Sequence, residues 1–212
     1  MDVPLRDDIY AAIRAGIIEC RLPPGAELHE RALAGCYGVS KAPVRDALLR
    51  LEHERLVHVR PRQGYRVAPV SVAEARDLLR FRAVLEPACA AAAAREADDA
   101  RLDALAALAR SGPAEDFVAY NRRFHAALAE AGGNRRMAQA ARELVEQADR
   151  LVRVSLDAIQ GRDPERLVAE HAAIADAVRA RDGRRAARLV REHLAAAERR
   201  ILAALGRRPI TE

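Results

Sequence analysis

The sequence predicts a mainly α protein in two parts: a compact N-terminal helical unit closed by a β-hairpin, over residues 1–70, and an all-helical bundle of about six helices over residues 71–212. Three observations lead there. Ala, Leu and Arg dominate and aromatics make up only 3% of the chain, a mixture that favours helix over sheet. Apolar residues recur at steps of three and four through most of the chain, the period of an amphipathic helix. Only two short pieces, LVHVR (56–60) and YRVAP (65–69), have the β-branched and aromatic character of strands.

Residues 4–20 place Leu5, Ile9, Ile13 and Ile17 on one helical face. LPPGAEL (22–28) breaks that helix with two prolines and a glycine. HERALAGCY (29–37) predicts a short second helix. Gly38 then provides a turn, and Ser40 is of the type that N-caps a helix. SKAPVRDALLRLEHERL continues as a third helix with Val44, Leu48 and Leu51 inward. The two β-like pieces, joined by PRQG, read as a hairpin. Beyond residue 72 the helices fall near 72–94, 98–110, 113–131, 134–157, 163–181 and 183–205. SGP (111–113), GGN (132–134), IQGRDP (159–164) and RDG (181–183) separate them. No repeat of fixed period is evident.

The formal net charge of +5 is mild, but its distribution is not even. Between Arg31 and Arg66 stand eight basic residues (31, 41, 45, 50, 55, 60, 62, 66) against three acidic ones (46, 52, 54). A local basic footprint of this kind marks a nucleic-acid binder. Cys20, Cys36 and Cys89 are odd in number and far apart, which excludes a disulfide framework or zinc ribbon. Asp2, Asp7 and Asp8 replace any apolar signal region, and the Ala-rich run 88–94 is too short to span a membrane. The expected setting is a reducing cytoplasm, with no membrane partner.

Two short helices joined by a tight turn, the second of them basic, are the form of a helix-turn-helix. Lys41 and Arg45 share the face opposite Val44, Leu48 and Leu51, so one side of the helix can sit in the core while the other faces DNA. Arg60, Arg62 and Arg66 would arm the hairpin as a wing toward phosphates. A solvated basic face is the plainer alternative, but turn, cap, basic helix and basic hairpin agree with one another. The segment LPPGAELHERALAGCYGVSKAPVRDALLRLEHERLVHVRPRQGYRV resembles the winged helix-turn-helix of the GntR family of bacterial transcription regulators. PPG, the LA after Arg31, GVS before a basic residue, PVRDAL and the G-x-x-V of the wing carry the resemblance over residues 5–68. It implies DNA contacts at Arg31, Ser40, Lys41, Arg45 and Gly64. The chain departs from the family at Arg55, where Gly usually precedes LV, and at Lys41, where Arg is more frequent. Lys lacks the bidentate fork that Arg offers to guanine.

In the second half, three of the chain's six histidines lie on apolar stripes of three different helices. His125 lies with Phe117, Phe124 and Leu128, and Asn121 stands one turn before it on the same face. His171 lies with Leu167, Ile174 and Val178, and His193 with Val190, Leu194, Ala197 and Ile201. A single core histidine is ordinarily a satisfied packing residue. Three of them facing one bundle interior predict a shared site, and neutral imidazoles suit Zn²⁺ or Ni²⁺. Residues 75–205 are similar to the FCD effector domain of the FadR-type branch of GntR regulators. LLRFRAVLEP (78–87), NRRFHAALAEAGGN (121–134), EHAAIADAV (170–178) and REHL (191–194) carry this similarity. It implies a metal held by an Asp and three His, which map onto Asn121, His125, His171 and His193. Asn121 in place of Asp supplies an uncharged, weaker oxygen, so the divalent metal is expected to bind less tightly and to demand an anion more. The resemblance also implies a small carboxylate as effector. Arg82, on a face with Leu78, Leu85 and Cys89, would assist it; an ion pair with Glu86 is the alternative use of that side chain. Asn134 has the character of an N-cap and adjoins the site only by proximity.

These readings combine into a ligand-responsive, DNA-binding transcription regulator. It would act as a homodimer on double-stranded, pseudo-palindromic operator DNA and respond to a small anionic metabolite. The same regulator with a metal-free pocket stays open. A helical metalloenzyme would leave the basic winged helix without a use, and no general base stands at a fixed offset from the histidines. The chain is therefore read as a non-enzyme, with the direction of its control open.

Overall fold

The structure, a computed structural model, describes residues 6–112, 116–156 and 164–206. The chain folds as two compact units, Met1–Val70 and Ser71–Glu212.

In the first unit, α1 (Arg6–Ile18) packs against α3 (Lys41–His53), and α2 (Glu30–Tyr37) packs on α3. Ile9, Ile13, Ile17, Val44, Leu48 and Leu51 form the core and are essentially inaccessible to solvent. Gly38 ends α2 in the left-handed conformation that a turn into the next helix requires. Ser40 occupies the N-cap position of α3 with extended backbone, but its hydroxyl makes no capping hydrogen bond. The predicted hairpin is β2 (Val57–Arg60) and β3 (Gly64–Val67), paired antiparallel with Val59 opposite Tyr65. A third strand, β1 (Glu27–Leu28), pairs with the other edge of β3, so the order is β1-β3-β2. It was not legible in the sequence, because two residues carry no period.

Two local features differ from the sequence reading. The third helix stops at His53, not in the run through Leu56, because Arg55 takes φ +58°. That left-handed turn is the reason a glycine suits this position better than an arginine. The guanidinium of Arg66, expected to be free on the wing, turns inward: its Nε donates to the Gly25 carbonyl at 2.9 Å. This bond ties β3 to the PPG turn. Arg60 and Arg62 remain exposed on the hairpin.

The second unit contains α4 (Val72–Glu96), α5 (Asp99–Ser111), α6 (Phe117–Ala131), α7 (Arg135–Leu156), α8 (Pro164–Arg179) and α9 (Gly183–Leu205). The helix expected to begin at residue 113 starts at Phe117, with Asp116 accepting the Val118 N–H as its cap; residues 113–115 lie outside the described residues. Of the expected break 159–164, only Pro164 is described, as the first residue of α8. α4 runs the full length of the bundle, with Pro87 inside it, and packs most extensively on α9. Much of its inner face is alanine (Ala90, Ala93, Ala94), which lets α9 approach closely. Phe124, Leu128, Ile174, Val178, Val190 and Leu194 complete the core from α6, α8 and α9. This places His125, His171 and His193 on the inward faces of three converging helices.

Candidate functional site

The candidate DNA-facing side of the first unit is the outer face of α3. Lys41, the first helical residue, is exposed, as are Ser40 and Arg31 on α2. Val44, Ala47, Leu48 and Leu51 bury the opposite face, so the packing fixes which side of α3 points outward. Arg45 is not free in solution. Its Nε and Nη2 each lie 2.8 Å from the two carboxylate oxygens of Glu30 on α2, a bidentate pair across the two helices. The arginine lowers the carboxyl's pKa, so Glu30 is ionised at neutral pH. Glu30 went unnoticed in the sequence; its signal is an acid beside Arg31 at the start of α2. Gly64 opens β3 with φ +104°, and a Cβ there would stand 2.7 Å from the Leu28 carbonyl oxygen. Its requirement is thus a close backbone approach and a left-handed conformation, both specific to glycine.

In the second unit the three imidazoles come together. One nitrogen from each of His125, His171 and His193 lies within 4.8 Å of the others. The ring centroids of His125 lie 5.3 Å from those of both His171 and His193, and the latter two are 4.9 Å apart. His171 also stacks on Phe124, with centroids 4.1 Å apart and planes 16° from parallel.

Two of the imidazoles are hydrogen-bonded through Nδ1, and the third has a carboxylate beside it. The Tyr120 hydroxyl donates to the Ala109 carbonyl at 2.8 Å, so toward His171 its oxygen can only accept. His171 Nδ1, 3.1 Å away, must then carry the proton, and its Nε2 is left with a lone pair, buried and without a partner among the described residues. His193 Nδ1 lies 2.7 Å from Glu170 Oε2. The His193 hydrogen bond outweighs the desolvation of Glu170 and lowers its pKa, so the carboxylate accepts and Nδ1 donates. His125 Nδ1 lies 2.7 Å from Glu86 Oε2, an ion-pair distance whose angle falls outside hydrogen-bond geometry. Burial raises the Glu86 carboxyl, but Arg82 and His125 outweigh it and hold it at about 2. Burial pulls His125 down to about 4 against the pull of Glu86, and pushes His171 well below its ordinary value. Both rings are neutral at physiological pH.

With the Nδ1 atoms of His171 and His193 engaged by Tyr120 and Glu170, the Nε2 of each is left as its lone-pair donor, and one nitrogen of His125 lies within 4.8 Å of theirs. This is the arrangement in which outer partners fix the tautomer of metal-ligating histidines. These donors fit a divalent transition ion. Glu86, Tyr120 and Glu170 contact the three histidines and were not assigned to the site by the sequence reading. Tyr120 and Glu170 are each the neighbour in sequence of a site residue, which in a helix does not ordinarily place two side chains together.

A cavity of about 30 Å³ opens beside the cluster, room for an ion or a water or two. Arg82, Asn121, His125, His193, Leu194, Ala197 and Arg200 are among its lining residues. Asn121 is buried and faces the same space as His125. Arg82 makes the ion pair with Glu86 that the sequence offered as one use of it, and it also lines the cavity. Its Nε contacts Glu86 Oε1 at 2.5 Å, while its Nη2 is buried beside the cavity with no partner. Asn134 is not in the lining; exposed at the start of α7, it accepts from the backbone N–H groups of Arg136 and Met137, both at 3.1 Å, as an N-cap.

No helix among the described residues is long and apolar enough to cross a membrane. Comparisons with known proteins agree with both halves. The FCD domain profile matches residues 77–196, and the profile "Bacterial regulatory proteins, gntR family" matches residues 5–67. The chain is 28% identical over 188 residues to the HTH-type transcriptional repressor RspR of Escherichia coli K12, covering 85% of this chain and 81% of that one. It is 33% identical over 178 residues to an uncharacterised HTH-type transcriptional regulator of Streptomyces ambofaciens, covering 82% and 75%. Among solved structures, a putative GntR transcriptional regulator from Rhodococcus sp. RHA1 superposes with TM-score 0.77 at 26% identity, over 96% of this chain and 99% of that one. E. coli McbR/YncC shares the fold, with TM-score 0.80 at 23% identity over 97% and 100%. A basic helix-turn-helix with its wing, followed by an FCD bundle, places this chain in the GntR family of DNA-binding transcription regulators, in its FadR-type, FCD-containing branch.

Proposed function

We propose that the second unit senses a small carboxylate through a divalent metal, Zn²⁺ or Ni²⁺, held by His125, His171 and His193 with Asn121 as an oxygen ligand, and that this sensing alters operator affinity. The observation that carries the reading is the convergence of one nitrogen from each of three buried histidines within 4.8 Å, two of them on rings whose Nδ1 is engaged by Tyr120 and Glu170. A bound ion would act as a Lewis-acid anchor for the effector. With Asn121 supplying no charge, the ion keeps its full positive charge and calls for an anion. Arg82 Nη2, buried and unpaired, adds a donor on the same wall. Asn134 acts on the site only through the helix it caps. The alternative, a metal-free pocket organised by these same histidines, predicts effector binding that chelators leave intact.

The protein acts on DNA as a homodimer in this reading. Phe81 and Val84, large apolar residues 54% and 73% exposed on the outer side of α4, support a self-association face. Arg31, Ser40, Lys41, Arg45 and the wing at Gly64 then meet two half-sites of a two-fold operator. The effector acts only through different affinities for two arrangements of the dimer. Regulatory binding without catalysis, in the cytoplasm, follows from this role.

The test uses an operator fragment selected from random DNA, measured by anisotropy. Metal plus a carboxylate should shift operator affinity in the wild type. His171→Ala should bind the operator but no longer respond. A response retained in His171→Ala contradicts the reading.

A further inference from the structure

The outer side of α4 carries a pattern that the histidine site does not use. Asp77, Phe81, Val84, Ala88, Ala91 and Arg95 follow one another at alternating steps of four and three residues. That spacing keeps all six on one stripe of the helix, the kind of seam along which two helices pair. Five of the six are exposed and Ala91 is half-buried. Among the described residues, Phe81 and Val84 are the most exposed large hydrophobics. Arg82, Glu86, Cys89, Ala90 and Ala93 bury the opposite side of α4 in the bundle, so packing fixes the stripe as outward.

The two halves of the stripe are complementary. The first carries an acid and two large apolar side chains, the second two alanines and a base. When a second copy of α4 lies antiparallel on the stripe, with Glu86 at the level of the two-fold axis, all six positions find a counterpart. Asp77 stands opposite the partner's Arg95, Phe81 opposite the partner's Ala91, and Val84 opposite the partner's Ala88. Each pair recurs on the other side of the axis, as an isologous contact requires. Large side chains fill the room that small ones leave, and opposite charges close both ends. A register that sets Phe81 against Val84 crowds the large residues together and leaves Arg95 beyond the start of the partner's α4 at Val72. A parallel pairing sets Asp77 against Asp77 and Arg95 against Arg95.

The two charges are available for this use. Asp77 has no ion pair within 4.0 Å among the described residues, and Arg95 meets its exposed neighbour Glu96 at 3.5 Å. Arg76 and Arg80, also exposed, lie to one side of the stripe.

We infer that the protein pairs with a second copy through antiparallel α4 helices in this register, and that Asp77 and Arg95 select it. The inference rests on the homodimer reading above and adds to it the orientation and the register.

Sedimentation velocity of the full chain over a concentration series tests it without DNA or metal. The wild type should dimerise. Asp77→Arg and Arg95→Asp each set like charges together at both ends of the seam, and each should weaken the dimer about tenfold or more. A chain carrying both reversals keeps the wild-type net charge and has opposite charges at both ends again, so its dimer should regain most of the lost affinity. A dimer that either single reversal leaves unchanged, or that the double reversal does not restore, overturns the register and leaves the homodimer reading in place. A wild type that stays monomeric throughout overturns both.

Discussion

The Tyr120 hydroxyl stands between the Ala109 carbonyl and His171 Nδ1, donating to the first and accepting from the second. Through that bond a tyrosine on α6 decides which nitrogen of a histidine on α8 faces the cluster. Tyr120→Phe keeps the buried ring and removes only the hydroxyl. Zn²⁺ affinity should fall about 10- to 100-fold, the usual cost of losing an outer-shell partner. Isothermal calorimetry measures this, with circular dichroism to check the fold; unchanged affinity would mean that the ring is oriented by its Phe124 stacking alone.

The buried acids and histidines set opposite responses to pH in the metal-free protein. His125 titrates near 4 in the fold against 6.5 when unfolded, so the unfolded chain binds more protons in that window and stability falls as pH drops. Asp149, buried beside Arg122 at 3.0 Å, is pushed by burial to about 7 from 3.8, so its contribution grows as pH falls through the same range. The two offset each other. Asp149→Asn removes the opposing term, and melting of the metal-free variant should then become more acid-sensitive between pH 7 and 4.5, by on the order of 2 kcal/mol. A variant with the wild-type pH profile would contradict this assignment of Asp149.

Arg45 and Glu30 form a solvent-exposed pair, and water screens such pairs so that they add little to stability. Arg45→Ala should therefore fold normally. Its operator affinity should drop by about 1–3 kcal/mol, as for the loss of one good DNA contact, with a shallower dependence on salt. Specific binding at wild-type strength would mean that a different face of the unit meets DNA.

Two glycines of the first unit make a matched test of backbone demand. Gly64→Ala places a Cβ 2.7 Å from a carbonyl oxygen at φ +104°, and should destabilise by about 2 kcal/mol or more. Gly35, inside α2, has nothing within 4 Å of the same atom, so Gly35→Ala should stabilise by about 0.5–1 kcal/mol. Urea denaturation of the two variants should move the midpoint in opposite directions.

The helices were legible because period and punctuation agree: Ile9, Ile13 and Ile17 mark one buried stripe, and Gly38, Asp98 and Asp182 stand at helix ends. The convergence of His125, His171 and His193 was legible for the same reason, since each sits among apolar residues at helical spacing. Their orienting partners were not. Glu170 faces His193 from another helix, 23 positions away, and Tyr120 reaches His171 over 51. No local period encodes such pairs. Arg66 shows the converse: its charge marked it for DNA, while its place on the central strand turned it to Gly25.

His125, His171 and His193, with Asn121, are proposed to make a metal site whose weak member is the amide. Zn²⁺ titrated by calorimetry into untagged, chelator-stripped protein at pH 7.5 tests it most directly. One ion should bind per chain, with uptake lost in His171→Ala and tightened about 10-fold or more in Asn121→Asp, where a carboxylate replaces the amide. No uptake by the wild type, or uptake that His171→Ala leaves unchanged, would contradict it.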